Sequence, residues 1–195
     1  KGQVFHFDAD WNHDADDMLN AMRAHFPVGI SPRSVVPAGP RFHALLSAKG
    51  KRYRYRAVEG WAMPEEDSFV LSLKNRTPDL ERMVVAAVHL IGTHDFSSFS
   101  TSRGTELEES QVRTVWRIKV TRKGPVIEIE ILGEGFLYKM VRSIAGALLD
   151  VGCGKIEPVQ LRDIFMGKKR TEKVVSAPAK GLCLEKVFYR TSFAK

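Results

Sequence analysis

The apolar residues Leu137, Val141, Ile144, Leu148 and Val151 recur at alternating steps of four and three. That spacing lays one continuous apolar stripe along a helix, and a stripe this long has to be buried against another element. A helix from about Phe136 to Gly152 is therefore expected, opened by Gly133-Glu134-Gly135 and closed by a glycine. Arg142 lies off the stripe. A charge beside a buried face needs water or an anionic partner. Arg142 thus reads either as an ordinary surface arginine or as the cationic half of a site.

The surface that such a helix would cover is legible further upstream. In Gln111 to Arg122, Trp116, Ile118 and Val120 alternate with Arg117, Lys119 and Thr121. In Val126 to Leu132, Ile127, Ile129 and Ile131 alternate with Glu128 and Glu130. With Lys123-Gly124-Pro125 as the turn, the two make an antiparallel hairpin with one wet face. Further strands are expected at Gln3 to Phe7, Ser34 to Val36, Leu45 to Val58 and Leu182 to Tyr189. Further helices are expected at Asp14 to Phe26, from Thr77-Pro78 to about Leu90 with Thr77 as N-cap, and from Pro158 to Met166. Strands and helices mix without regular βαβ alternation. The expected class is α+β, a largely antiparallel mixed sheet flanked by helices. Pro37-Ala38-Gly39-Pro40 is the boundary signal. It divides residues 1–40, a partial first unit, from 41–195, the main domain.

At 195 residues and 44% hydrophobic, the chain can bury a core. No apolar run is long enough to span a bilayer. Lys1 to Phe7 already reads as a strand rather than a signal peptide. The chain opens without a methionine, so the natural protein is expected to begin further upstream. The net charge of +7 raises the expectation of a polyanionic partner. Cys153 and Cys183 form no CxxC pair and argue for a reducing compartment. The histidines show no metal-ligand spacing, so no metal is expected.

Three segments invite a chemical reading. On a strand, Arg52, Arg54 and Arg56 share one face, with Lys51, Tyr53 and Tyr55 on the other. Three guanidinium groups in a row suit phosphates, and the tyrosines suit an extruded base. A solvated charged face over tyrosines that fill the core is the plainer alternative. His94-Asp95 has no serine or cysteine elbow beside it and reads as a structural loop with buried Phe96 and Phe99. Ala177 to Leu184 reads as a tight turn entering a strand, with Cys183 as a small buried hydrophobe.

Five segments in order, GQVFHF (Gly2 to Phe7), FHA with KRYRY (Phe42 to Ala44, Lys51 to Tyr55), GTHDFSSF (Gly92 to Phe99), GFLYKMVRSIAGALLDVGCGK (Gly135 to Lys155) and APAKGLCLEKVFY (Ala177 to Tyr189), span nearly the whole chain. Together they resemble the TruA family of tRNA pseudouridine synthases. The resemblance implies isomerisation of uridine to pseudouridine in the anticodon stem-loop of tRNA, without cofactor or metal, by a homodimer. It implies an intracellular protein, in the cytoplasm first, with nucleus and organelles left open. In that family an aspartate attacks the nucleoside, the glycosidic bond breaks, the base turns over, and C5 is joined to the sugar.

By this resemblance Tyr53 packs against the flipped base and Arg142 pairs with the catalytic aspartate, keeping it ionised and aimed. Lys51, Arg52, Arg54, Lys139 and the Lys168-Lys169-Arg170 loop would supply substrate contacts that position the RNA without reading its sequence. The sequence also departs from the family pattern. The nucleophile belongs to a GRTD-type motif just ahead of Gly2-Gln3-Val4, and is expected upstream of Lys1; Asp8 and Asp10 follow that strand and do not fit. Leu45 stands where an arginine is usual, and Gly29 where an acidic residue is common. The competing readings are a non-catalytic RNA-binding module on the same scaffold and a basic component of a ribonucleoprotein. No RRM-type signature is present.

Overall fold

The computed structural model describes residues 1–101 and 110–190. They form two compact units, one of Lys1–Gln3 with the described residues from Lys49 onward and one of Val4–Ala48.

In the smaller unit, α1 (Ala15–His25) starts where Asp14 accepts the Asp17 N–H and ends at Phe26, whose N–H returns to the Met22 carbonyl. Asp16 and Asp17 in the first turn and Arg23 and His25 in the last complement the helix dipole. Phe5 stacks between Phe7 and Phe26. Neither Gln3 to Phe7 nor Ser34 to Val36 forms strand, because their alternation finds no ladder to join.

The larger unit is one sheet with helices on one face. Its elements are β1 (Gly50–Val58), β2 (Leu71–Ser72), α2 (Leu80–Val88), β3 (Gly92–Asp95), β4 (Val112–Lys123), β5 (Val126–Gly133), α3 (Met140–Gly152), α4 (Pro158–Met166) and β6 (Leu182–Phe188). The sheet runs β2-β1-β5-β4-β3, with β6 also paired to β1. Among the described residues only the short β1–β2 pairing is parallel. β1 lies against β5 on one edge, and its other edge is shared by β6 at Gly50 to Tyr55 and β2 at Ala57 and Val58. This is the mixed, largely antiparallel α+β sheet that the alternating segments predict.

The face that carries Tyr55, Ala57, Ile127, Ile129 and Ile131 is buried under α2, α3 and α4. α3 contributes Val141, Ile144, Leu148 and Val151, the predicted stripe, and Leu137 joins the same core from ahead of the helix. The helix begins four residues later than its periodicity suggests. Lys139 takes a left-handed conformation (φ 59°), so Gly135 to Tyr138 belong to the approach and not to the first turn. On a helix continuous from Phe136, Tyr138 would stand one turn before Arg142 on the same side; in the structure Tyr138 lies ahead of the helix. The start of α2 also differs from expectation. Asp79, not Thr77, is the N-cap, because its carboxylate takes two orphan amides, those of Glu81 (2.8 Å) and Arg82 (3.2 Å).

Candidate active site

Arg142 sits in the first turn of α3, half-buried. Its Nε donates to the Ala177 carbonyl at 2.7 Å, and the Ala177 N–H donates back to the Arg142 carbonyl at 3.0 Å. The segment Val174 to Pro178 thus lies as a strap along α3. Gly146 is what admits it: a Cβ there would run into the Val175 carbonyl. The strap is pinned on its other side by the Tyr55 hydroxyl, which donates to the Pro178 carbonyl at 2.9 Å. Tyr55 is fully buried, and burial pushes its phenol well above the ordinary tyrosine range, partly offset by the nearby positive charge of Arg142. Arg142 and the tyrosine face of β1 therefore meet, although Tyr55 supports the strap rather than facing a ligand.

One of the five N–H donors of Arg142 is used on Ala177. Among the described residues it makes no ion pair with a carboxylate. A half-buried guanidinium fixed at one nitrogen and carrying a fork of remaining donors is a ready receiver for a carboxylate.

Tyr53 is two residues before Tyr55 on the same face, about 7 Å along the strand. It is only partly buried, and its ring meets Phe136 edge-on at 5.3 Å. Phe136 can lie there because position 133 is glycine, where a Cβ would press on the Thr114 carbonyl and the Phe136 ring. Burial raises the Tyr53 phenol above its ordinary value, so it stays protonated at neutral pH. Lys51 precedes Tyr53 by two residues on the same face, opposite Gly133. Lys139 stands at the mouth of α3, its ammonium over the Tyr138 ring at 5.2 Å.

Arg52 and Arg54 are placed differently from the other candidates. They point to the face of β1 away from Tyr53, where the neighbouring strands supply carboxylates. Arg54 reaches Glu128 on β5 (3.2 Å) and Glu185 on β6 (2.7 Å). Arg52 lies 3.7 Å from Glu130, and Arg56 3.7 Å from Glu128. A bulge at Glu185, between Leu184 opposite Tyr53 and Lys186 opposite Arg52, puts that carboxylate beside Arg54. Glu128 and Glu185 are only 16% and 18% exposed, so these pairs are poorly screened. Changing Arg54 to Gln is accordingly expected to lower unfolding free energy by about 1–3 kcal/mol, because Glu185 loses its cation while Glu128 keeps only the longer contacts to Arg56 and Lys123. Denaturant titration measures that loss. In parallel, the slope of log affinity for tRNA against log salt should stay unchanged; a slope shallower by about one would put Arg54 on a phosphate instead.

The remaining candidates have local duties. Asp95 accepts from both the backbone and the hydroxyl of Ser97, and those bonds hold its carboxyl below the usual range. His94 contacts the Ile91 carbonyl, and Phe96 and Phe99 pack on Phe165, so the segment is structural. Lys168 and Lys169 are exposed, but Arg170 turns inward, a distinction that a run of three basic residues gives no means to see. Cys183 is half-buried rather than buried. The Gly2 amide donates to the Leu184 carbonyl (2.9 Å), and the Lys1 nitrogen lies 3.8 Å from Cys183 Sγ. The segment Lys1–Gln3 therefore runs beside β6, with Lys1 at the end where the strap leads into the strand. Among the described residues no group of three His, Cys, Asp or Glu could hold a metal ion, and no helix is long and apolar enough to cross a membrane.

Residues 86–190, which include α3, the strap and β6, match the family model of tRNA pseudouridine synthase. The tRNA pseudouridine synthase A of Geobacillus kaustophilus is 38% identical over 191 residues, covering 96% of this chain and 72% of that protein. The chain belongs to the tRNA pseudouridine synthase family. The enzymes of the same name from Bacillus licheniformis and Lacticaseibacillus casei are 38% and 37% identical, covering 96% of this chain and 75% and 76% of their own length. The family membership thus extends over nearly the whole sequence, both units included, and agrees with the five motifs.

Proposed function

We propose that this chain isomerises uridine to pseudouridine in the anticodon stem-loop of tRNA, with Arg142 holding the attacking carboxylate and Tyr53 against the displaced base. Family membership carries the reaction; the half-buried Arg142, tied to Ala177 and without an ion pair among the described residues, carries the assignment of the site. Pseudouridine differs from uridine only in which base atom bears the sugar. The N1–C1′ bond breaks, the C5–C1′ bond forms, C5 releases a proton and N1 gains one. No electrons are exchanged with a second reactant, so the reaction calls for no redox cofactor.

The attacking aspartate must be ionised. A guanidinium with free donors at contact distance favours the charged form and fixes its direction. The run of Lys1–Gln3 beside β6 supports a nucleophile that comes from the segment ahead of Lys1, because that end of the segment points toward the strap that holds Arg142. The base has to leave its stack, and a ring on which it can rest offsets part of the cost. Tyr53, partly exposed and braced by Phe136, supplies that ring. Lys51 and Lys139 stand around it as phosphate contacts. A homodimer and an intracellular setting follow from the resemblance; the outward valines Val84, Val85 and Val88 on α2 supply apolar surface for a second copy.

A binding module without catalysis has no need of a guanidinium kept half-buried for a carboxylate, and this disfavours that alternative. The test is to incubate full-length protein with an unmodified tRNA transcript and map pseudouridine by carbodiimide modification and primer extension. Stops at uridines of the anticodon stem-loop are expected. Pseudouridine confined to another arm would overturn the stem-loop assignment, and none in any tRNA would overturn the isomerase.

A further inference from the structure

Arg170 makes four hydrogen bonds with two nitrogens. Nη1 donates to the Ser100 carbonyl (3.2 Å) and to Ser143 Oγ (3.1 Å). Nη2 donates to the Val174 carbonyl (2.7 Å) and to Ser176 Oγ (3.2 Å). Ser143 is fully buried on α3, next in sequence to Arg142, and its hydroxyl lies 2.9 Å from that of Ser176. One guanidinium thereby ties Ser100, at the end of the turn Ser97–Phe99, the first turn of α3 and both ends of the strap segment Val174 to Ser176. The next residue, Ala177, is the one whose carbonyl holds Arg142, and Pro178 after it takes the Tyr55 hydroxyl.

We propose that Arg170 is a positioning residue for the reaction, fixing the strap so that the Ala177 carbonyl holds Arg142 in its productive orientation. The proposal rests on the reading of Arg142 as the partner of the attacking carboxylate. The planar fork is what the geometry demands. A lysine at 170 would keep the charge but place a single ammonium where two pairs of acceptors stand apart. The role differs from that of Lys168 and Lys169, whose exposed ammonium groups suit RNA phosphates. Loosening the strap would misdirect Arg142 without touching the surface that holds the RNA. A small displacement of a group that aims a nucleophile has a large effect on rate.

The experiment compares Arg170→Lys and Ser176→Ala with wild type in the full-length protein, measuring kcat and KM on a tRNA transcript, with circular dichroism melts to establish folding. Arg142→Ala is the control. Arg170→Lys is expected to lower kcat about ten- to a hundredfold, with KM within about twofold, and Ser176→Ala to shift kcat in the same direction by less. Unchanged kcat in folded Arg170→Lys would overturn the proposal, as would a raised KM at intact kcat, which is the signature of a phosphate contact. If Arg170→Lys does not fold, Ser176→Ala decides: unchanged kcat there overturns it. Full turnover in Arg142→Ala would defeat the underlying site assignment, and this inference with it. An inactive Arg142→Ala beside a wild-type Arg170→Lys would defeat the positioning role alone.

Discussion

Arg142→Ala is expected to reduce turnover about a thousandfold, which corresponds to about 4 kcal/mol in the barrier. The catalytic carboxylate would lose both the charge that keeps it ionised and the fork that aims it. The fold should survive. Arg142 contributes one side-chain hydrogen bond to the strap, while the Ala177 N–H to Arg142 carbonyl bond is backbone and remains. Alanine is also the best helix former for the first turn of α3. The loss of stability should be about 1 kcal/mol, and the circular dichroism spectrum should be unchanged. A variant that unfolds instead would make Arg142 a structural residue. Arg142→Lys should not restore activity, because an ammonium cannot bond Ala177 and grip a carboxylate in two places at once.

Tyr53→Ala is expected to lower turnover about a hundredfold, from the loss of a stacking surface and of its hydroxyl, while tRNA affinity changes little. Affinity for RNA comes mainly from phosphates, and Tyr53 faces the core side of the sheet at the edge of the site. Tyr53→Phe keeps the ring and its edge-on contact with Phe136, so it should retain more activity than the alanine variant. Because burial holds the Tyr53 phenol above its ordinary range, the group stays protonated through neutral pH. The wild-type rate should show no inflection from it below the ordinary tyrosine range. Equal losses of turnover and affinity on Tyr53→Ala would remove Tyr53 from the base.

How far these residues were legible in the sequence depended on whether the deciding contact was local. The period-two isoleucines Ile127, Ile129 and Ile131 and the stripe from Val141 to Val151 declared their buried faces, and all are in the core. Arg52 and Arg54 were visible as one face of a strand, but their partners Glu130, Glu128 and Glu185 come from strands far along the chain. A strand's own alternation says nothing of what its neighbours place opposite it. α3 starts later than its apolar period predicts because Lys139 adopts a left-handed conformation, which is rare outside glycine and has no sequence signal. Arg170 was hidden by its neighbours: Lys168-Lys169-Arg170 reads as one basic loop, and only tertiary packing separates the inward guanidinium from the outward ammonium groups. Gly146, flanked by Ala145 and Ala147, did carry a hint of close approach on α3, without saying that the strap is what approaches.

The most direct test is tritium release from C5-labelled uridine in tRNA by the full-length protein, run beside folded Arg142→Ala with tRNA binding measured for both. Release by the wild type, with binding but no release by the variant, is the predicted result. Equal release by the two proteins would contradict the assignment of Arg142, and binding without release by the wild type would contradict the isomerase itself.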